Sequence, residues 1–291
     1  MVSTPQTTLA ATCRIAGVGI HGGAPVVLTI APAPANSGVM FVRADVETRT
    51  PIPARSDKVR DTRLATVIGE GGVTVSTVEH LMAALFGLGV DNALVELDGP
   101  ETPIGDGSAA DFVAAIAAAG LSRQDTPRRY LEILEPIEVT QPGKRAALVP
   151  APRFEMSVEI IFESPAIGRQ RLELVVDPAS FQAEIADART FGFMAEVEQL
   201  RAMGLGRGAS LVNTIVIDGD QVLNPASLAR PDDFVRHKAL DALGDLALIG
   251  HPILGRYEAS CSGHALNHAL VQAVLARPDA WRIVTSEAVL A

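Results

Sequence analysis

The stretch STVEHLMAALFGLG, residues 76–89, is the first in the chain that reads as a helix, and it separates what lies on either side. Ser76-Thr77-Val78-Glu79 has the form of a capping box, the apolar run from Leu81 to Leu88 carries the helix on, and Gly89 stops it. Upstream, VVLTIAPAP, VMFVRADV and LATVIGEGGVTV read as strands, with Pro and Gly as punctuation. Downstream, a second helix is expected to open at Asp106-Gly107-Ser108 and to run through Phe112, Val113 and Ile116 to Gly120. After the polar stretch Ser122 to Arg129 the order starts again. Strands are read in YLEILEPIEVT, KRAALVPA, RFEMSVEIIF, RLELVV and SLVNTIVI, followed by helices over Asp233 to Ile249 and His264 to Ala276. Strands then two helices, twice over, predicts an α+β protein of two similar domains, 1–125 and 126–291, each a β-sheet layered with two main helices. A faint internal likeness agrees, since His80 and His237 each lie near the start of the first helix of their half. Helix layers packed together at the boundary would place a ligand site between the domains.

Composition narrows the function. The 291 residues are 48% hydrophobic and 20% charged, with 25 glycines and 19 prolines, which describes a folded globular chain. Against 34 Asp and Glu stand 24 Lys and Arg, a net charge of −10, so a general nucleic-acid binder is excluded and an anionic ligand needs a local basic pocket. Mean hydropathy is +0.25. The longest apolar runs, Leu81 to Val90 and Phe112 to Leu121, nevertheless fall short of the roughly 18 residues that cross a bilayer, so no membrane span is expected. MVSTPQTTLAATCR at the start has no basic region leading into an apolar core, and Cys13 and Cys261 are too few for a disulfide framework. A monomer in a reducing cytoplasm is the expectation.

Among the motifs, Gly17-Val18-Gly19-Ile20-His21-Gly22 matches GxGxxG with Asp45 downstream, but Gly23-Ala24-Pro25-Val26-Val27 leads into a strand and not a helix, so a tight turn is read in place of a dinucleotide site. No G-x-S-x-G occurs. The strongest constellation is FVRHKALDALGD, residues 234–245, where His237, Asp241 and Asp245 recur every four residues and line one helix face, about 5 to 6 Å apart at Cβ. Ala239, Leu240, Ala242, Leu243 and Leu246 make the rest of the circumference apolar, so this stripe is interior, where charge needs a partner. His237 and Asp241 can serve one cation, the device of the HExxH zinc helix with a carboxylate for the second imidazole; the competing reading is a solvated polar face. Glu79-His80 offers a third ligand and an adjacent proton acceptor, although Glu79 also suits the capping box with Ser76. His264 and His268 form a rival pair, and Cys261 with His264 a rival nucleophile. Phe191, Phe193, Met194, Val197 and Leu200 read as an amphipathic helix entered through two aromatics, for which core packing is the default. Lys144, Arg145, Arg236 and Lys238 are candidate anion contacts or plain surface.

GVGIHGG (17–23), STVEHLMAAL (76–85), ETPIGDGSAADFV (101–113), ARTFGF (188–193), DDFVRHKALDALGDL (232–246) and SGHALN (262–267) closely resemble, in order and with compatible spacing over nearly the whole chain, the zinc-dependent UDP-3-O-acyl-N-acetylglucosamine deacetylases of bacterial lipid A synthesis. The resemblance implies two α+β domains packed helix layer to helix layer, Zn2+ as cofactor, a UDP-linked acylated amino sugar as substrate, and acetate as a product. It implies that His80, His237 and Asp241 are metal ligands and Glu79 the general base. It implies that His264, oriented by Asp245, stabilises the oxyanion as imidazolium and protonates the departing amine. Thr190 and Lys238 match groups that help bind the oxyanion and substrate. Phe191, Phe193, Met194, Val197 and Leu200 lie where the family lines its acyl-chain passage, which turns the second domain's insert from core into ligand wall. One departure is visible: Cys261 stands where many members have Lys, so a phosphate contact is absent or comes from elsewhere, with Lys144 and Arg145 as candidates. A metal-free cysteine hydrolase on Cys261 and His264, and a non-enzymatic binder of sugar nucleotides or lipids, remain the other classes.

Overall fold

Alternation of apolar and polar residues buries Val26, Leu28 and Ile30 along Pro25–Pro32, and Phe154, Met156, Val158 and Ile160 along Phe154–Ile161. Each of these strands therefore has one face that must be covered. In a computed structural model, which describes residues 4–285, helices lie against the sheets that hold both. The first sheet runs in the order Cys13–Val18, Pro25–Pro32, Ala93–Leu97, Val39–Arg43, Ile52–Pro53. A larger, seven-stranded sheet is centred on Ile253–Ser260. The helices are α1 (Glu79–Gly87), α2 (Ala110–Ala119), α3 (Pro178–Glu184), α4 (Met194–Ala202), α5 (Asp233–Ala247) and α6 (His264–Leu275).

The repetition expected from the sequence is present as topology. Ala93–Leu97 follows α1 and inserts between an antiparallel neighbour, Pro25–Pro32, and a parallel one, Val39–Arg43. Ile253–Ser260 follows α5 and inserts between antiparallel Lys144–Val149 and parallel Phe154–Ile161. The strand-strand-helix-helix order is thus corrected: in each half a central strand lies between the two helices. The chain passes from one half to the other after Leu121–Pro127, which pairs with Pro5–Leu9, and Arg129–Ile133 already belongs to the second sheet. Each half also carries a small three-stranded sheet, Val59–Asp61 with Val67–Glu70 and Val73–Val75, and Phe191–Phe193 with Ile215–Asp218 and Gln221–Val222; the strands within LATVIGEGGVTV and SLVNTIVI were expected, while Val59–Asp61, Phe191–Phe193 and Gln221–Val222 were not.

Helices α1 and α5 meet face to face, which explains why α5 is buried around almost its whole circumference. Their approach depends on Gly244, where an added Cβ would lie 1.9 Å from the backbone oxygen of Glu79. Three local expectations change. Ser76 makes no cap: α1 begins at Glu79 after Val78, because Thr77 adopts a left-handed φ of 59° and gives its hydroxyl to Glu101. Helix α2 begins at Ala110, since Asp106 and Ser108 are tied up with one another in the preceding turn. Of SLVNTIVI only Ile215 onward is strand. Among the described residues no helix is long and apolar enough to cross a membrane.

Candidate active site

The facing ends of α1 and α5 bring together residues 157 positions apart. His80 on α1 and His237 on α5 stack edge-on with ring centroids 5.1 Å apart, and both present Nε2 to the same atom, Asp241 Oδ1, at 3.6 and 3.3 Å. All three side chains are buried, and their ligand atoms lie within 4.8 Å of one another. The proton positions follow from the surroundings. His237 Nδ1 sits 3.1 Å from the Ala188 carbonyl, which can only accept, so Nδ1 carries the hydrogen and Nε2 a lone pair. Burial lowers the His237 pKa to about 3 against the opposing pull of Asp241, and the ring is neutral. A neutral imidazole lone pair aimed at a carboxylate oxygen is repulsive unless a cation lies between them. That donor set, two imidazoles and a carboxylate, fits zinc. His80 Nδ1 is buried without a hydrogen-bond partner among the described residues. Burial alone would raise Asp241, but the Lys238 ammonium beside it holds it well below the ordinary carboxylate range. Lys238 Nζ donates to Asp241 Oδ2 at 2.8 Å and stands 5.4 Å from the Phe191 ring.

Beside this triad lies a second set. Glu79 Oε1 faces His264 Nε2 at 3.9 Å, and His264 Nδ1 donates to Asp245 Oδ2 at 2.9 Å. Burial raises the Glu79 pKa, opposed by His264 and His80. Burial would lower His264, yet Asp245 first, then Glu79 and Asp241, outweigh it and push the value up to about 10, so the ring is an imidazolium at neutral pH. Asp245 also accepts from Asn267 Nδ2 at 2.8 Å, and Asn267 Oδ1 in turn accepts from Tyr257 and Ser262 hydroxyls, both at 2.6 Å. A carboxyl group whose pKa burial raises and a charged histidine, each held by its own neighbours, are the equipment of a general base and a general acid.

A cavity of about 390 Å³ opens over both sets. Thr190, Phe191, Leu200, Lys144 and Lys238 line it together with the titratable groups. Of the other apolar candidates, Phe193 packs on Phe162 at 5.7 Å, Met194 is exposed and Val197 half-buried, and none of the three lines this cavity. The 191–203 stretch is also not one helix: Phe191–Phe193 is a strand, and α4 begins at Met194 with no buried residue. Arg145 is taken up by Glu138 and Glu258, and Arg236 by Asp232 and Glu184. His268 points its Nδ1 toward Ser56, away from the triad. Cys261, half-buried and at φ 52°, is not among the cavity's lining residues. A larger cavity of about 530 Å³, lined by Arg128, His251 and Trp281 among others, contains none of these acid–base groups, so chemistry rather than size selects the site.

Sequence reasoning missed several supporting residues. Glu101 is buried and takes the backbone N–H of His21 and of Gly22, both at 2.8 Å, which seats the GVGIHGG turn beside the cavity. Gly19 is required there, because a Cβ would fall 2.2 Å from Glu101 Oε2. Glu101, Asn267 and Ala188 belong to quoted motifs and were findable; Thr66, whose N–H donates to Glu79 and whose hydroxyl donates to Asp245, carries no pattern signal.

Known proteins were compared with this chain. A family model described as UDP-3-O-acyl N-acetylglycosamine deacetylase matches residues 6–276. The UDP-3-O-acyl-N-acetylglucosamine deacetylase of Phenylobacterium zucineum (strain HLK1) is 56% identical over 282 residues, 96% of each chain. The enzyme of the same name from Myxococcus xanthus (strain DK1622) is 50% identical over 279 residues, covering 96% of this chain and 89% of the relative. That of Anaeromyxobacter sp. (strain Fw109-5) is 49% identical over 285 residues, covering 97% and 93%.

Proposed function

Since the chain belongs to the UDP-3-O-acyl N-acetylglycosamine deacetylase family, we propose that it hydrolyses the N-acetyl group of UDP-3-O-acyl-N-acetylglucosamine with zinc held by His80, His237 and Asp241. The products are acetate and UDP-3-O-acyl-glucosamine, a step in lipid A biosynthesis. When bound there, zinc supplies a Lewis acid for the amide carbonyl and brings the pKa of water toward about 7. Glu79, one residue before His80, takes the proton of the attacking water; its raised pKa brings it nearer the working pH of a base. His264 enters as imidazolium, steadies the oxyanion, and gives its Nε2 proton to the departing amine while Asp245 keeps the ring aligned through Nδ1. Thr190 and Lys238 stand on the same cavity and add donors for the oxyanion and the sugar. Phe191 and Leu200 begin the wall for the acyl chain, which Phe193, Met194 and Val197 extend outward. Lys144 takes the diphosphate contact that Cys261 cannot make.

The observation that carries this reading is the convergence of the His80 and His237 Nε2 atoms on one carboxylate oxygen of Asp241, with an acid–base pair alongside. The test is an acetate-release assay joined to elemental analysis. Stoichiometric zinc, loss of release with a chelator and recovery on adding zinc back are expected. Release that ignores chelators and stops on thiol alkylation would transfer the chemistry to Cys261.

A further inference from the structure

One residue touches both carboxyl groups of the acid–base set. Thr66 lies in the turn between Val59–Asp61 and Val67–Glu70 and is 1% exposed. Its backbone N–H donates to Glu79 Oε2 at 3.0 Å, its hydroxyl donates to Asp245 Oδ1 at 2.5 Å, and its carbonyl accepts from Val78 N–H at 3.3 Å, just ahead of α1. The remaining atoms of both carboxyl groups face His264: Glu79 Oε1 stands 3.9 Å from its Nε2, and Asp245 Oδ2 takes its Nδ1 hydrogen at 2.9 Å. Each carboxyl group thus has one oxygen held by Thr66 and the other turned to the same imidazole.

We propose that Thr66 is a positioning residue for the deacetylation, fixing the planes of the Glu79 and Asp245 carboxylates and through them the His264 ring. The inference rests on the acid–base roles assigned above to Glu79 and His264. Its physical basis is torsional. A carboxylate gripped at one oxygen can turn about its last carbon–carbon bond, and a donor on the second oxygen stops that turn. Hydrogen bonds to charged acceptors are the strong kind, and a hydroxyl this deeply buried would be costly if its sole role were to fill space. Valine has the same shape without the donor, so packing alone gives no reason for a hydroxyl here. The small sheet that carries Thr66 belongs to the first half while Asp245 is on α5, so this residue also ties the two halves together at the reacting centre.

The experiment compares Thr66→Val and Thr66→Ser in the metal-loaded enzyme, with metal content and folding checked. Thr66→Val should lower kcat by about 10-fold to 100-fold, the range typical of a lost supporting hydrogen bond, and leave KM essentially where it was. Thr66→Ser should recover most of that loss. The His264 Nδ1 proton resonance should move in Thr66→Val and return in Thr66→Ser. In an Asp245→Asn background, Thr66→Val should cost nothing more, as expected when one residue acts through the other. Wild-type kcat in Thr66→Val, or equal losses in both variants with the resonance unmoved, would reduce Thr66 to packing. Should Thr66→Val fail to fold, Thr66→Ala keeps the N–H donor, removes the hydroxyl and carries the same expectations. A wild-type enzyme that releases no acetate overturns the deacetylase reading and this inference together; an active wild type with an equally active Thr66→Val overturns this inference alone.

Discussion

At the scale of single residues, the proposed separation of Glu79 and His264 into base and acid rests on their neighbours and not on their chemical type. Glu79→Gln keeps the side-chain shape, and Gln can still accept from Thr66 N–H, but it cannot take a proton. We expect kcat to fall about 10²-fold to 10⁴-fold, with zinc content by elemental analysis unchanged. A pH–rate profile reads the same pair. Activity requires Glu79 ionised and His264 charged, so the acid limb should lie above the ordinary carboxyl value of 4.5, because burial raises Glu79. The alkaline limb should lie above the ordinary histidine value of 6.5, because Asp245 and Glu79 outweigh the burial of His264. A limb that fails to shift in Glu79→Gln or His264→Ala would break the assignment. His237 and Asp241 were legible because i, i+4 spacing on a largely apolar helix leaves a buried polar stripe few innocent explanations. Glu79 was offered as a proton acceptor by its place beside His80, and the capping-box pattern that competed for it is empty: Ser76 caps nothing and Thr66 holds the Glu79 carboxyl group.

At the scale of elements, the site exists because α1 and α5 pack backbone against backbone at Gly244. Gly244 allows this, and its replacement is a direct test. Gly244→Ala sets a methyl group against the Glu79 backbone, and overpacking of that kind typically costs about 1 to 3 kcal/mol. Helix propensity would on its own favour Ala by about 1 kcal/mol. The signs oppose, and a contact of 1.9 Å with backbone decides for destabilisation. We expect a lower midpoint in denaturant titration and reduced zinc retention after dialysis; an equally stable, metal-replete variant would show that the helices can spread without consequence. The boundaries of α5 and α6 were read to within two residues at the end where a Gly or Pro stops the periodicity. The insert at α4 was not: aromatic and apolar spacing there suggested a buried amphipathic helix, while Phe191–Phe193 is a strand, α4 is exposed, and of the apolar candidates Phe191 and Leu200 line the cavity.

Over the whole molecule, the proposed metal ligands come from α1 and α5, so an ion bound there would clamp the two halves. A ligand that binds only the folded state adds RT ln(1 + [L]/Kd), so chelation should lower the thermal midpoint and zinc should restore it. If chelated and zinc-loaded protein melt together, the ion does not bridge His80 and His237. The sequence by itself determined the α+β class, the paired helices of each half and the stripe on α5, because hydrophobic periodicity and the residues that end helices act locally. What only the tertiary structure decided is which distant side chains meet. The seat of the GVGIHGG turn on Glu101 and the grip of Thr66 on Asp245 are contacts across 80 and 179 positions of chain, and the central strand between each pair of helices likewise pairs with strands far from it in sequence. Such contacts leave no period in the sequence, because they are fixed by how two sheets and their helices close over a shared core.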